Sequence, residues 1–497
     1  MTLNEEQALE QLESFTIPEK KAALQSLVNL GKALQYSDEV AKLLDDEDAP
    51  VRKEAALTLG ICKPSPGKEA QQIARTLADS LMDDDKTVRA EVARAIAQLG
   101  KDGATVADRL EKILGKEKDD EPAMAAIECL SAIGEVTRLS AFIGHSSPNV
   151  VRVALVEAGR SPEAARAKFA PLIRDRLGHQ DTSVRLAAAQ ASGELGSVCN
   201  DDHLQALADL AADRQVKVRR AAVQALGKVG VRGVPHLVRF FGDADEGVRH
   251  FAAETLSGVG GEEAAAASAE LAEHPNAPVR RAALSALGRM KADGRGHSGL
   301  IAKHLNDDDF EARLASIQAL NELGACEEAA SVGALRNDDN KGIRQAAVAA
   351  LAKFGKDGGD EALAFLDDPE QAVRQAAVKV FSPLHSKLAA DLALPHAPAV
   401  ARKLSDEDWR VRFAAVVALG DLHTAQYANQ VAVMCNDDNN QVRRSAVTSL
   451  TKLGATAAHV AAFLQDEDAG VRKEAETAYA ELKANGPPDD GEFSECD

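Results

Sequence analysis

Aspartate and arginine recur four residues apart along this chain, as Asp48 and Arg52, Asp85 and Arg89, Asp181 and Arg185, Asp245 and Arg249, Asp309 and Arg313, Asp408 and Arg412, and Asp468 and Arg472. A carboxylate beside a guanidinium can tune a proton-transfer group in a cleft, or tie one stretch of chain to the next through charged hydrogen bonds. Recurrence separates the two roles, because a catalytic pair is needed once and this pair returns in seven repeats. It is therefore expected to form a structural ladder. Other chemistry is thin. The twelve His form no His-Glu dipeptide and no H-E-x-x-H, so no metal site is expected, and His250, His297 and His304 read as ordinary helix or loop residues. Cys62, Cys129, Cys199, Cys326, Cys435 and Cys496 lack ligand spacing and read as free thiols in a reducing compartment. With no G-x-S-x-G, P-loop or dinucleotide fingerprint, no catalytic residue and no cofactor are expected.

The elements that place these charges are visible in the apolar pattern. Val51, Val88, Val151, Val184, Val218, Val248, Val279, Val373, Val411, Val442 and Val471 each precede an Arg, and Ala312-Arg313 and Ile343-Arg344 keep the register. In VRRAAVQALGKVG (Val218 to Gly230) apolar residues lie at −1, +3, +7 and +10 from the Arg, which follows one face of an α-helix. Gly196, Gly230, Gly260, Gly324, Gly355 and Gly454 stand where a helix C-terminus needs a left-handed residue. The Asp four residues before each Arg is an N-cap candidate, with Asn276, Asn340 and Asn439 at equivalent places and Pro50 and Pro278 in the first turn. Upstream runs a shorter apolar-periodic segment, such as Asp201 to Asp213, so each unit reads helix, acidic turn, helix. Such units, 29 to 38 residues apart by their Arg positions, predict an all-α solenoid.

D-x-x-x-V-R-x-x-A-x-x-A-L-G resembles the short HEAT-like repeats of phycobilisome-lyase-like proteins over nearly the whole chain. The resemblance implies an armadillo-type fold, a right-handed α-solenoid of 14 to 15 helix-turn-helix units, and an Asp-Arg ladder linking adjacent turns. The units centre on Arg52, Arg89, a degenerate one at Ala123, Arg152, Arg185, Arg219, Arg249, Arg280, Arg313, Arg344, Arg374, Arg412, Arg443 and Arg472, with a further one at Glu19 to Gly31 keeping Lys20 in place of Arg. The expected division is a capping repeat over 1–36, a continuous solenoid over 37–483, and an acidic disordered tail over 484–497. Irregularities are expected at 61–70, 116–159 and 382–400, with a hinge near Lys116 to Pro148. The missing His-Glu pairs set the chain apart from HEAT-repeat deoxyhypusine hydroxylases. The resemblance also raises a bilin lyase or isomerase, which scarce aromatics, 3% of residues, speak against. A third alternative is an importin-like receptor for basic peptides, although one Trp cannot build a Trp-Asn ladder.

The formal charge of −20, from 58 Lys and Arg against 78 Asp and Glu, concentrates in the turns. An acidic edge disfavours nucleic acid as a partner, since Arg219-Arg220, Arg280-Arg281 and Arg443-Arg444 are local pairs and form no continuous stripe. No apolar run is long enough to span a membrane, and the acidic start carries no secretory signal, so a cytoplasmic or other reducing intracellular location is expected. The reading that remains is a non-enzymatic scaffold whose protein partners bind along the concave surface lined by second helices. Positions +1 and +5 from the Arg leave the apolar stripe and select Arg220, His250 and Arg281, together with Trp409, Phe413 and Val417 at i, i+4, i+8 as an apolar anchor. Trp409 would otherwise fill the gap beside the long connection Ser382 to Val400.

Overall fold

The computed structural model describes residues 3–423 and 425–485, and among them the chain forms helices and turns with no strand. The proposed tail falls almost wholly outside the described residues. The chain divides into two compact units, Met1–Thr255 and Leu256–Asp497. Second helices of the first are α1 (Ile17–Asn29), α2 (Ala49–Ile61), α3 (Lys86–Gln98), α4 (Asp120–Ala132), α5 (Pro148–Arg160), α6 (Thr182–Leu195) and α7 (Val216–Val229). After α8 (Glu246–Val259), those of the second are α9 (Ala277–Arg289), α10 (Phe310–Leu323), α11 (Lys341–Leu351), α12 (Gln371–Val380), α13 (Trp409–Asp421), α14 (Asn440–Lys452) and α15 (Ala469–Asn485).

Each repeat follows one local logic. In the repeat of α7, the first helix, Asp201–Asp209, tightens into a 3-10 turn over Leu210–Ala212, and the chain then turns extended at Asp213. Asp213 Oδ1 accepts the Gln215 N–H at 2.8 Å, which folds the turn before α7 starts. Val218, Ala222 and Leu226 of α7 are fully buried, along one stripe. Successive second helices pack on one another from α1 to α7 and from α9 to α15, while the first helices cover their other side. The core of each unit is thus a thin layer of Ala, Val and Leu, widened at points such as Phe240 and Phe241. All six closing glycines have positive φ, from 57° at Gly196 to 82° at Gly230.

One repeat departs from its expected register. Helix α5 has Ser147 as N-cap, five residues before Arg152 rather than four. Val151 therefore occupies the place held by Arg elsewhere and is 1% exposed, and Arg152 turns outward to solvent. The cause is local: a Val-Val pair lets the helix seat either Val inward, and Pro148 at the first turn sets which. The long connection after α12 is also specifically closed. Buried Ser382 donates to Asp421 of α13 at 2.5 Å, the Lys387 N–H reaches the Ala352 carbonyl at 2.9 Å, and Leu388 lies over Gly359, where an added Cβ would stand 2.9 Å from its side chain.

Candidate functional site

The recurrent Arg reaches along the chain to the next turn. Arg344 is representative: Nε and one terminal nitrogen bind the Asp368 carboxylate at 2.7 and 3.0 Å, and the other terminal nitrogen donates to the carbonyls of Asp338 and Asp339 at 2.8 and 3.4 Å. The same fork joins Arg52 to Asp83, Arg185 to Asp213, Arg219 to Asp243, Arg280 to Asp307, Arg313 to Asp338, Arg374 to Asp406, Arg412 to Asp437 and Arg443 to Asp466. Arg89 uses Glu117 and Asp119, and Lys20 pairs with Asp46. The acid reached stands six residues before the next Arg, two upstream of the acid that the sequence marks. Asp85, Asp181, Asp245, Asp309, Asp408 and Asp468 instead accept first-turn N–H groups, as N-caps do. Asp48 makes no such side-chain cap bond. Arg249 and Arg472 bond the carbonyls of their own turns. Turns such as Asp83 to Asp85, Asp243 to Asp245 and Asp307 to Asp309 thus carry one acid for the neighbour and one for their own helix.

Histidine stands at that ladder position in three turns, as His145, His179 and His274, and in each its Nδ1 accepts the N–H two residues on, as the Asp does elsewhere. Two of the three follow repeats without the Arg, at Ala123 and Val151. His145 also donates from Nε2 to the Glu117 carbonyl at 2.6 Å, the kind of bond an Arg would have made there.

A second recurrent contact shapes the face of stacked second helices. The Gly eight residues after the Arg meets a small residue of the next helix: a Cβ added to Gly60 would lie 2.7 Å from the Ala95 Cα, one on Gly193 3.2 Å from the Ala225 Cα, and one on Gly288 2.7 Å from the Ala319 Cα. Helices this close leave shallow troughs bordered by the residues at +5 and +9. Between α2, α3 and α4 lies an open cleft of about 300 Å³ lined by Leu57, Ile61, Glu91, Arg94, Gln98 and Glu128 among others. Between α6 and α7 lies one of about 220 Å³ lined by Gln190, Glu194, Gln224 and Lys228, with Lys228 and Glu194 paired across it at 2.5 Å.

Of the six partner-facing residues chosen from sequence, Arg220 is exposed with its guanidinium 5.0 Å from the Phe251 ring, and His250 is exposed. Arg281 is half-buried and ion-paired with Glu311. Trp409, Phe413 and Val417 are each half-buried along α13, and Arg410 covers the Trp409 ring at 4.9 Å. None of the six lines either cleft. Leu57, Arg94, Glu128, Gln190 and Gln224 do, all of them at +5, the off-stripe position that among the six only Val417 occupies; Arg220, His250, Arg281 and Phe413 are at +1 and Trp409 at −3. Glu91 was missed because it sits at +2, where most repeats carry Ala. Among the described residues no group of three or more His, Cys, Asp or Glu could hold a metal ion, and no helix is long and apolar enough to cross a membrane. None of the five described cysteines is in a disulfide, and burial pushes the Cys62, Cys129 and Cys199 thiols up to about 11, 12 and 11, away from reactive thiolate.

Comparison with known proteins agrees with this geometry. The family described as HEAT repeats matches in overlapping stretches, 37–131, 73–158, 136–227, 204–288, 265–352, 298–382, 360–451 and 397–480. Among curated proteins none matches the sequence. Two similar solved structures are a mutant of Kap121p, at 14% identity and a TM-score of 0.56 over 90% of this chain and 56% of that one, and Kap121p bound to RanGTP, at 13% identity and 0.50 over 95% and 55%. The chain thus spans little more than half the length of these solenoids, and at such identity the likeness concerns the fold.

Proposed function

The chain belongs to the HEAT-repeat family, and from that premise we propose that it is a non-enzymatic scaffold that docks partner proteins along the exposed face of its second helices. The observation that carries this reading is the pair of clefts on that face. Close Gly–Ala contacts floor them, and side chains at +5 and +9, which the ladder and core do not use, border them. Neighbouring residues differ in character, aliphatic at Leu57 and Ile61 and polar at Gln190 and Gln224, so one repeated backbone presents a varied surface. Kap121p has been solved bound to RanGTP, which supports the fold as a docking frame. A cytoplasmic or other reducing compartment suits the dispersed cysteines.

The test is capture of cross-linked partners from native lysate by the wild-type chain, by the face variants Leu57→Asp with Ile61→Asp and Gln190→Glu with Gln224→Glu, and by the edge variant Asp84→Asn with Asp308→Asn. Proteins retained by wild type and the edge variant but lost by a face variant are expected. Partners lost only with the acidic turns would replace this reading with the receptor for basic peptides, and a tetrapyrrole absorbance in the eluate would replace it with the bilin-handling alternative.

A further inference from the structure

Glu91 is out of place for a charged residue. It lies on α3 where most repeats carry Ala, it is only 9% exposed, and its one ion-pair contact is with Arg94 at 3.6 Å, too long for a hydrogen bond. Arg94 is itself held nearer by Glu121, at 3.2 Å. Most of the residue is buried, and its carboxylate opens into the cleft, where a cation would complete it. Glu91 lines the cleft between α2, α3 and α4, and Glu128 lines it too, so the walls hold two carboxylates against the single guanidinium of Arg94. Along the rim Leu57 and Ile61 are 39% and 38% exposed. Carboxylates in the lining and exposed aliphatic groups beside them complement the two ends of one kind of side chain, an ammonium and its methylenes.

We propose that this cleft receives a lysine side chain from an extended segment of a partner protein, its ammonium against Glu91 and Glu128 and its methylenes, with an adjoining apolar residue, on Leu57 and Ile61. The proposal rests on the reading of the second-helix face as a docking surface and adds the chemistry of one pocket. A lysine ammonium suits the two carboxylates, because its three rotatable donors surround a compact point charge. The cleft between α6 and α7 has no such vacancy for charge, since Lys228 already answers Glu194.

The experiment is a methyl-NMR titration of the full chain, following Ile61 and the Leu57 methyls. The probes are a capped pentapeptide with Lys between two Leu, the same peptide with norleucine for Lys, and free cadaverine. Saturable shifts with the lysine peptide are expected, and roughly tenfold weaker binding in Glu91→Gln, the loss that accompanies removal of one charged hydrogen-bond partner. Glu270→Gln, exposed on the helix Gly261–Ala272 and away from both clefts, should bind as wild type does. Equal binding of the norleucine peptide, or an unchanged affinity in Glu91→Gln, would overturn the assignment, as would cadaverine binding as tightly as the peptide, which would make this a site for free diamines. These results leave the docking face itself standing if captured partners still depend on Gln190 and Gln224, so the two failures are distinguishable.

Discussion

A histidine sealed from water gives up its proton early. His203, in the first helix of the α7 repeat, is 1% exposed with Nε2 2.8 Å from Ser192 Oγ, and burial lowers its pKa from 6.5 to about 4. Between those values the unfolded chain binds a proton that the folded chain refuses. The contribution is therefore complete above pH 6.5 and declines as pH falls towards 4, by on the order of 3 kcal/mol. His203→Gln should remove that slope when denaturant unfolding is followed from pH 7 to 4.5, and an identical slope in the variant would sink the assignment. Ladder acids act in a lower window. Burial alone would raise the Asp307 pKa, but the hydrogen bonds from Arg280, the Asp309 N–H and His304 outweigh it and lower it to about 2. This depressed carboxylate contributes fully above its unfolded value of 3.8 and is lost as pH falls through 2. At the Arg344–Asp368 pair, whose residues are 9% and 6% exposed, Arg344→Ala should cost about 3 kcal/mol because it strands a buried charge. Adding Asp368→Asn should recover part of that loss in the same unfolding assay, since Asn can still accept the Glu370 N–H. The sequence shows the Arg clearly but not its acid: turns such as DDED hold several Asp, and spacing from the Arg does not say which one faces the previous repeat.

At the scale of the helix, A-L-G reads in sequence as the end of an apolar stripe, and the structure shows the Gly as the point of nearest approach between neighbours. Gly288 of α9 and Gly258 of α8 test this as a pair. A Cβ on Gly288 would stand 2.7 Å from the Ala319 Cα and 3.0 Å from its Cβ, and this backbone contact cannot yield without moving α10. A Cβ on Gly258 would meet nothing within 4 Å. Gly288→Ala is expected to destabilise by about 1 to 3 kcal/mol through overpacking. Gly258→Ala should instead be neutral or stabilise by up to about 1 kcal/mol through helix propensity. Thermal unfolding of the two variants decides it, and equal effects would mean that the close approach carries no energy. The clefts follow from the same contact, and for that reason they were not legible: hydrophobic spacing reports which side of a helix is buried, not how closely two helices approach. The stripe, most N-caps and most closing glycines depend only on residues within one helix and are legible in the letters, whereas Asp48 and Asn276 make no side-chain cap bond and Gly355 opens the next helix. The register of α5 was not legible, because two consecutive valines satisfy the stripe equally.

Across each unit, stability is a chain of nearest-neighbour couplings, so a missing rung matters more for where the structure opens than for how much helix it has. In the unit Leu256–Asp497 the fork runs without a gap from Arg280 to Asp466. In the unit Met1–Thr255 two consecutive rungs are lost, where Ala123 and Val151 replace Arg and His145 and His179 replace the acid. A hinge near Lys116 to Pro148, expected from the broken motif, is therefore a proposal with a physical basis, and hydrogen exchange should show α4 and α5 opening before α6 and α7. Uniform protection across the four helices would reject it. The deeper test is repair. Ala123 is fully buried, and His145 bonds the Glu117 carbonyl that an Arg would take, so Ala123→Arg alone should destabilise by leaving a charge without its carboxylate. His145→Asp alone removes that carbonyl's donor and should also destabilise. Together they rebuild the rung seen between Arg185 and Asp213, and the double-mutant cycle should show a favourable coupling of about 1 to 3 kcal/mol with raised protection of α4 and α5. Simple additivity of the two losses would show that the rungs act singly, and that the break in the repeat does not set where this unit opens.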